Sequence, residues 1–257
     1  MKESRLFFCP GLGEAEKEPP FEIDLPDEEA GHAVRVLRMA AGDDVFLTNG
    51  RGTMANGVVA AARKQHCRVS VEHVWQPRPL WTGHIHVAVA PTKNADRMEW
   101  LVEKATEIGV DAFTFVLTKN SERRALRLDR LQRTALSAMK QSQKAWLPRL
   151  EGLMPFSDFL DQQADTPFKY IAHCYTPETF AATPQPSAKP LLLDVVPPMD
   201  TAVVLIGPEG DFSVEEVRQA MASGWQAVSL GPSRLRTETA ALAAVHIMNL
   251  RKQMPPV

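Results

Sequence analysis

Residues 203–216 read Val-Val-Leu-Ile-Gly-Pro-Glu-Gly-Asp-Phe-Ser-Val-Glu-Glu. An apolar run rich in β-branched residues enters a Gly-Pro-Glu-Gly turn, and Ser213 with Glu216 three residues later predicts a capping box at the start of a helix. Residues 227–232, Ala-Val-Ser-Leu-Gly-Pro, repeat the arrangement, and residues 237–239 then open an apolar helix. We therefore expect two buried strands that deliver two loops to one pocket.

The glycines of these loops decide what the pocket can bind. Because Gly207 and Gly210 have no Cβ, the chain can bend sharply there, and a planar, polar ligand can lie against backbone amides and carbonyls. An isolated Gly-Pro is common in ordinary turns, but two of them, each leading into a helix, favour a binding site. The sequence contains no Gly-x-x-x-x-Gly-Lys-Ser/Thr loop and no Gly-x-Gly-x-x-Gly behind a strand, so the usual nucleotide loops are excluded.

The composition is that of an ordinary globular protein. The chain has 257 residues, 44% hydrophobic and 23% charged, which is long enough for two unequal domains. Its three cysteines, Cys9, Cys67 and Cys174, are widely spaced and odd in number, so we expect no metal site, no disulfide framework and a location in the reducing cytoplasm. Apolar runs are too short to span a membrane and the N-terminus does not resemble a signal peptide, so we expect no membrane partner.

Charged residues are unevenly distributed, although the net charge is only −2. Residues 14–29 hold eight acidic residues and one lysine, whereas residues 119–149 hold nine Lys and Arg against two acidic residues. A solvated helix surface is one explanation, but the arginines exceed what solubility requires, so we predict a face that contacts phosphates. The arginines of this face are Arg123, Arg124, Arg127, Arg130 and Arg133.

The first part of the chain is predicted to form short strands and a small β-barrel. Partial period-two alternation indicates strands at residues 5–8, 21–25, 45–48, 53–60 and 67–74. Between the second and third strands, residues 27–39 are predicted as a helix. On such a helix His32, Arg35 and Arg38 would share one face. Ordinary exposure and RNA contact both explain these three residues, and we favour RNA contact.

Residues 75–81, Trp-Gln-Pro-Arg-Pro-Leu-Trp, interrupt the strand pattern, because two prolines in three residues fit neither a central strand nor a helix. We place the domain boundary there, between residues 1–76 and residues 77–257. Beyond it, strands at 84–90, 112–117 and 170–174 alternate with helices at 94–108 and 128–144. This alternation predicts a mostly parallel sheet with helices on both faces, whose ligand lies beyond the carboxyl ends of the strands.

Two arginines precede the last helix, next to Glu238. Glu238 alone is explained by a favourable interaction with the helix dipole. Arg236 is different, because a guanidinium beside a glycine-walled pocket is suited to fixing a phosphate, a base carbonyl or an oxyanion.

Together these motifs resemble the SPOUT methyltransferases, and within them the RsmE family, which methylates N3 of a uridine in small-subunit ribosomal RNA. The resemblance rests on residues 205–210 with Phe212-Ser213 and Glu216, on Leu230-Gly231 and on residues 235–240, Leu-Arg-Thr-Glu-Thr-Ala. His32 with residues 35–39, Lys93 with residues 104–110, and residues 121–123 are similar to further motifs of that family, in the same order. The match covers nearly the whole chain.

The resemblance implies an α/β fold in which a PUA-like RNA-binding β-barrel, residues 1–76, precedes a SPOUT domain with a deep trefoil knot, residues 77–257. It also implies S-adenosyl-L-methionine as the cofactor, small-subunit ribosomal RNA as the partner, and a homodimer. Carried over by position, the cofactor-binding residues are His173, Cys174, Ile206, Gly207, Pro208, Glu209, Gly210, Leu230, Gly231, Leu235 and Thr237. The predicted RNA contacts are His32, Arg35, Arg38, Lys93, Arg123 and Arg124.

The sequence departs from the pattern of that family at three positions. Asp211 stands where a further glycine is common, and this change bears on the shape of the cofactor loop. Lys140 and Lys144 stand where glutamate and arginine are usual, so a role assigned to that glutamate does not carry over.

The implied reaction needs an activated methyl group aligned with uracil N3, exclusion of water and loss of the N3 proton. We expect Arg236 to stabilise the negative charge that spreads onto the ring carbonyls, with Arg5 of a partner subunit as a second candidate and Glu238 or water as the proton acceptor. The alternatives are a SPOUT enzyme for another rRNA or tRNA position and a non-catalytic RNA-binding module. A nucleotide hydrolase is the most distant alternative, because it would need a carboxylate cluster or a lysine-bearing phosphate loop.

Overall fold

The structure is a computed structural model, and it describes residues 5–13, 18–176, 179–180 and 189–254. The described residues form two compact units. The first falls within Met1–Pro79 and Leu136–Leu147, and the second within Leu80–Ala135 and Pro148–Val257. The domain boundary between residues 76 and 77 stays a prediction from the prolines. The structure adds that a segment from the middle of the chain packs with the first unit.

The first unit contains a five-stranded sheet, and the strands expected from the alternation are confirmed. The sheet has the order β1-β3-β4-β5-β2, in which β1 runs parallel to β3 and the other pairs are antiparallel. Its inward-facing side chains, such as Phe7, Leu47 and Val69, are fully buried. The strands are β1 Leu6–Phe8, β2 Phe21–Asp24, β3 Asp44–Thr48, β4 Met54–Arg63 and β5 His66–Trp75.

The helix predicted over residues 27–39 is present only as far as Val36, and its second half is not α-helical. α1, Asp27–Gly31, passes into a π-helical turn, His32–Val36, and Arg38 has a φ of 53°, which lies in the left-handed region. A π-helical turn holds more residues than an α-helical turn, and Arg38 lies beyond its end. Three-residue spacing therefore does not place His32, Arg35 and Arg38 on one helix face. All three side chains are nevertheless exposed.

The second unit is built on a six-stranded sheet with the order β11-β9-β10-β6-β7-β8. All of its strand pairs are parallel, which confirms the parallel sheet predicted from the alternation. β8 was not predicted. The strands are β6 Ile85–Val89, β7 Ala112–Leu117, β8 Arg149–Pro155, β9 Phe168–Ala172, β10 Ala202–Ile206 and β11 Gln226–Val228.

The helices predicted at residues 94–108 and 128–144 and after each Gly-Pro loop are present, whereas α4, Phe156–Gln162, and α5, Leu192–Val195, were not predicted. α2 begins after Asn94, whose side chain accepts a hydrogen bond from the Asp96 amide, and it ends at Gly109 with a φ of 129°. α6 begins with the capping box expected of Ser213 and Glu216. The helices after α1 are α2 Ala95–Ile108, α3 Leu128–Gln141, α4 Phe156–Gln162, α5 Leu192–Val195, α6 Val214–Ala222 and α7 Thr237–Gln253.

The order of the strands positions the predicted site. Every residue of β10 is buried, as expected of a central strand covered on both faces. β10 lies between β9 and β6, and β11 pairs with the other edge of β9. The loops after β9, β10 and β11 therefore leave the sheet side by side at its carboxyl edge. Among the residues that the structure describes, none of the helices combines the length and hydropathy that a membrane span requires.

Candidate functional site

A cavity of about 790 Å³ opens at the carboxyl ends of β9, β10 and β11 in the second unit. Its walls are residues 172–174 after β9, residues 206–211 after β10 and residues 228–237 around and after β11, together with Lys189 and Ala240. This size falls within the roughly 300–1,000 Å³ of small-molecule sites. The cavity lies at the edge of the parallel sheet where the sequence predicted a ligand.

All eleven residues predicted to bind a cofactor line this cavity. The two Gly-Pro loops supply nine of them and the loop after β9 supplies two. Their role in binding stays a prediction, since a shared cavity places them together without showing what they hold. They are His173, Cys174, Ile206, Gly207, Pro208, Glu209, Gly210, Leu230, Gly231, Leu235 and Thr237.

The glycines of the cavity wall have different physical reasons to be glycine. Gly231 has a φ of 115°, which side chains rarely adopt, and a Cβ added there would meet open space. At Gly207 an added Cβ would lie 3.0 Å from the Phe212 ring, and at Gly210 it would lie 3.3 Å from the Cβ of Asn120. Gly231 thus satisfies a backbone requirement, whereas Gly207 and Gly210 permit close packing of the loop against the protein.

The loop after β10 is held from outside by the segment after β7. The Asn120 side-chain amide donates to the carbonyls of Gly210 and Asp211, at 3.2 and 3.0 Å. The Lys119 amide donates to Glu216 Oε1 at 2.7 Å. These bonds attach the loop after β10 and the start of α6 to the segment after β7.

Hydrogen bonds to Phe212 and from Lys189 also hold the loop after β9. Tyr175 donates its hydroxyl to the carbonyl of Phe212 at 2.7 Å, and the Lys189 amine donates to the carbonyls of His173 and Tyr175. Burial, together with the nearby Lys189 charge, lowers the pKa of His173 to about 4. His173 is therefore neutral at physiological pH, and its Nε2 is buried without a hydrogen-bond partner among the described residues.

The three predicted catalytic residues occupy different places. Arg236 is exposed, lines the cavity and forms the N-cap of α7. Glu238 is buried outside the cavity wall, where its Oε1 lies 3.5 Å from Arg97 of α2. Arg5 belongs to the first unit, where its guanidinium donates to Asp43 at 3.5 Å. Of the three, the structure brings Arg236 to the cavity.

Several of the predicted RNA contacts are already engaged within the protein. Arg123 donates from Nε and Nη2 to the carbonyl of Lys93, at 3.1 and 2.5 Å. Arg130 and Arg133 form ion pairs of 2.7 Å with acidic neighbours. Arg124 is exposed and makes no side-chain hydrogen bond or ion pair within the described part of the chain. Fewer arginines of the basic face are therefore available to contact phosphates than their number in the sequence suggests.

Lys93 links this face to the cavity wall. Its amine lies 3.0 Å from Glu122, and its backbone amide donates to Glu209 Oε1 at 3.0 Å. The loop after β6, the segment after β7 and the loop after β10 thus form one connected surface of the second unit. In the first unit, His32, Arg35 and Arg38 remain exposed and available to solvent.

Sequence reasoning did not assign three charged residues that line the cavity, namely Lys189, Arg234 and Asp211. Arg234 lies two residues before Arg236 and could have been found from that proximity. Lys189 follows a proline-rich connection that carries no motif, so its position depends on the fold. A cluster of three or more His, Cys, Asp or Glu that could hold a metal ion does not occur among the residues described.

Comparison with known proteins covers both units. The sequence model described as RNA methyltransferase domain matches residues 79–249, and the one described as RNA methyltransferase PUA domain matches residues 25–72. The crystal structure of a probable rRNA-methyltransferase from Porphyromonas gingivalis shares 40% sequence identity with this chain, with a TM-score of 0.80 over 96% of this chain and 98% of that one.

Two further relatives carry a more specific name. A ribosomal RNA small subunit methyltransferase E from Neisseria gonorrhoeae, solved bound to S-adenosyl methionine, is 27% identical, with a TM-score of 0.80 and coverage of 96% of this chain and 97% of that chain. The Bacillus subtilis protein of the same name is 26% identical over 247 residues, which is 93% of each chain.

These matches confirm the methyltransferase domain and the PUA domain that the motifs predicted, in the predicted order along the chain. They also confirm the family resemblance that the two Gly-Pro loops and residues 235–240 carry. The chain therefore belongs to the RNA methyltransferase family, alongside the proteins named ribosomal RNA small subunit methyltransferase E.

Proposed function

We propose that this protein transfers a methyl group from S-adenosyl-L-methionine to N3 of a uridine in the ribosomal RNA of the small subunit. The observation that carries the proposal is the convergence of both Gly-Pro loops and Arg236 on one cavity, in a chain of the RNA methyltransferase family. A relative that aligns over 96% of this chain was solved with S-adenosyl methionine bound.

The residues of the cavity fit this cofactor. Gly231 leaves open space where any other residue would place a Cβ, so a flat adenine ring can approach the backbone there. His173 and Cys174 add the loop after β9 to the same wall. Lys189 and Arg234 supply positive charge for a carboxylate group.

When bound, S-adenosyl-L-methionine supplies a methyl group that is already activated by the positive charge on its sulfur. The protein must then align the base, exclude water and stabilise charge. We assign the last of these to Arg236, whose guanidinium meets the negative charge that grows on the uracil carbonyls as N3 loses its proton. Glu238 stays a candidate proton acceptor, although its carboxylate is buried beside Arg97 and outside the cavity wall.

The RNA-binding surface follows from the exposed cations. Arg124 and Lys93 in the second unit, and His32, Arg35 and Arg38 in the first, are proposed to contact phosphates, with Arg123 fixing the backbone that carries Lys93. The PUA domain match supports RNA binding by the first unit. We infer that the protein acts in the cytoplasm, and its free cysteines Cys9, Cys67 and Cys174 support that location.

We also infer a trefoil knot and a homodimer, as the family resemblance implies. The position of β10 between β9 and β6, with β11 beyond β9, supports the knot. Three large apolar side chains are exposed, namely Trp100 on α2, Leu250 on α7 and Met254 just after α7, and they support a second copy as their cover. In such a dimer Arg5 of the partner is the second candidate for a cation near the base.

The first test is calorimetric titration of the purified protein with S-adenosyl-L-methionine and S-adenosylhomocysteine, with ATP as a control. We expect saturable binding of the first two and none of ATP. Mass spectrometry of nucleosides from small ribosomal subunits, incubated with protein and cofactor, should then show N3-methyluridine. Methylated uridine in transfer RNA instead would show that transfer RNA is the substrate. Binding of the cofactor without any methylated product would favour a non-catalytic RNA-binding module.

Arg236→Ala tests the catalytic assignment. Because Arg236 is proposed to act on the base, we expect the variant to bind the cofactor almost normally and to lose on the order of 100- to 1,000-fold in the rate of transfer. Arg218→Ala, which removes an exposed arginine of α6 away from the cavity wall, is the matched control. Equal losses of binding and transfer in Arg236→Ala would show that the arginine holds the cofactor instead.

A further inference from the structure

Asp211 adopts a backbone conformation that is unusual for its residue type. Its φ is 61°, in the left-handed region where glycine is common and where aspartate and asparagine are tolerated through local hydrogen bonds. Among the described non-glycine residues with positive φ, Asp211 is the one that lines the cavity. A strained conformation at a functional site persists when the surrounding structure holds it there.

The carboxylate of Asp211 supplies that support and joins two loops. Its Oδ1 accepts a hydrogen bond from the Phe212 amide at 2.8 Å, and its Oδ2 accepts one from the Cys174 amide at 2.8 Å. Its own amide donates to the carbonyl of Pro208 at 2.9 Å. The two bonds to the carboxylate come from backbone donors, which suits an ionised carboxylate, since it can only accept. The side chain therefore fixes the loop after β9 against the loop after β10.

Asp211 is less exposed than the other acidic side chain of the cavity wall. Glu209, the second acidic residue of the wall, is exposed and directs its carboxylate to the amide of Lys93. Asp211 is half-buried, so solvent and salt screen its charge less. Lys189, Arg234 and Arg236 place positive charge on the same wall. The pKa of the Cys174 thiol is raised by burial and by the Asp211 charge, as expected of an anion facing this wall.

We propose that Asp211 is a positioning residue that bridges the two loops of the cofactor cavity, and that its carboxylate selects the positively charged cofactor over the neutral thioether product. The inference rests on the proposed function. Transfer of the methyl group to N3 leaves the sulfur uncharged, because the electron pair of the broken carbon–sulfur bond stays on sulfur. The attraction to Asp211 is then lost, which favours release of the product and its replacement by fresh cofactor.

Two variants remove the charge and differ in how much of the bridge they leave. Asp211→Asn keeps a residue type that tolerates positive φ and one carbonyl acceptor, so it loses the charge and one of the two hydrogen bonds from the Phe212 and Cys174 amides. Asp211→Gly keeps the backbone conformation and removes the bridge to Cys174. Glu215→Gln is the matched control, since it removes an exposed carboxylate of α6 outside the cavity wall. Calorimetry gives the affinity of each protein for S-adenosyl-L-methionine and for S-adenosylhomocysteine, which differ by one methyl group and one charge.

We expect Asp211→Asn to lower the preference for the charged ligand by about three- to tenfold, the effect of one charge several ångströms away in a partly screened site. We expect Asp211→Gly to lower the affinity for both ligands, and Glu215→Gln to leave the ratio of the two affinities unchanged. In the wild-type protein the preference should shrink as salt rises from about 0.05 M to about 0.5 M, because the Debye length shortens. In Asp211→Asn the preference should respond to salt less than in the wild-type protein, because the charged side chains that remain on the wall are Glu209, Lys189, Arg234 and Arg236.

Each outcome decides a different point. An Asp211→Asn variant with the wild-type ratio and the wild-type salt response overturns the selection by charge, and an Asp211→Gly variant with unchanged affinities overturns the bridge. If the wild-type protein binds neither ligand, the proposed function fails and this assignment fails with it. Melting temperatures of the variants show whether a loss of affinity reflects the cavity or the fold.

Discussion

His86 makes the stability of the second unit depend on pH. It lies on β6, is 7% exposed, and its Nε2 lies 2.9 Å from Thr114 Oγ1. The Thr114 hydroxyl in turn donates to Glu151 Oε2 at 3.0 Å, so a polar chain crosses β6, β7 and β8. Burial lowers the pKa of His86 from 6.5 to about 4, although the Glu151 charge opposes the shift. The folded protein therefore holds this imidazole neutral.

The sign and size of the effect follow from proton linkage. The unfolded chain takes up a proton near pH 6.5, whereas the folded chain takes it up only near pH 4, so the unfolded state binds more protons between these values. The stabilisation is fully present above about pH 6.5 and is lost as the pH falls. The interval from 6.5 to about 4 is worth about 3.4 kcal/mol in total. Between about pH 7.5 and about pH 5, the expected loss is about 2 kcal/mol.

Urea unfolding at several pH values measures this loss. In His86→Gln, an amide that does not titrate can still hydrogen-bond Thr114, so we expect the free energy of unfolding to fall by about 2 kcal/mol less than in the wild-type protein over the same pH range. His246→Gln, at an exposed position of α7, is the control and should keep the wild-type pH dependence. If His86→Gln also keeps the full wild-type pH dependence, the buried neutral histidine is not its cause.

Three further outcomes follow from particular contacts. Lys140→Met should lower the free energy of unfolding by about 3 kcal/mol in urea titrations, because it leaves the buried Glu29 without its partner at 2.6 Å, and adding Glu29→Gln should restore much of the loss. Gly231→Val should lower the affinity for S-adenosyl-L-methionine, measured by calorimetry, by at least about tenfold, since φ there is 115° and the side chain would enter the cavity. An unchanged affinity would place the ligand elsewhere. Arg124→Ala should lower RNA affinity and reduce the slope of its salt dependence by about 1, more than Arg130→Ala, whose arginine is paired with Glu99.

The loops of the site could be predicted because their signals are local. A strand that is buried on both faces reads as a continuous apolar run, as β10 does, and the capping box of α6 involves residues three apart. Glycine and proline mark the turn between them. Such signals need no knowledge of the partner strands, so the residues they delimit reached one cavity as expected.

Features that depend on distant partners were missed. β8 is an edge strand that contains Gly152 and Pro155 and no β-branched residue, and its register with β7 shifts between Thr114 and Phe115. Leu136–Leu147 contains the C-terminal part of the helix α3, yet it packs with the first unit. Its Lys140 reaches Glu29, more than a hundred residues away, which gives a physical reason for a lysine where the family commonly has glutamate. Sequence periodicity reflects local structure and does not predict contacts between residues so far apart in the chain.

Gly210 shows why a glycine in a binding motif does not by itself locate the ligand. Its missing Cβ faces the Cβ of Asn120 at 3.3 Å, whereas that of Gly231 faces open space. Loss of binding in Gly210→Val would therefore report a displaced loop as readily as a filled cavity. Gly210→Ala should lower the melting temperature and the cofactor affinity together, because the added Cβ forces the loop away from Asn120, whose side-chain amide holds it. If Gly210→Ala lowers the affinity alone, the glycine serves the ligand and not the packing.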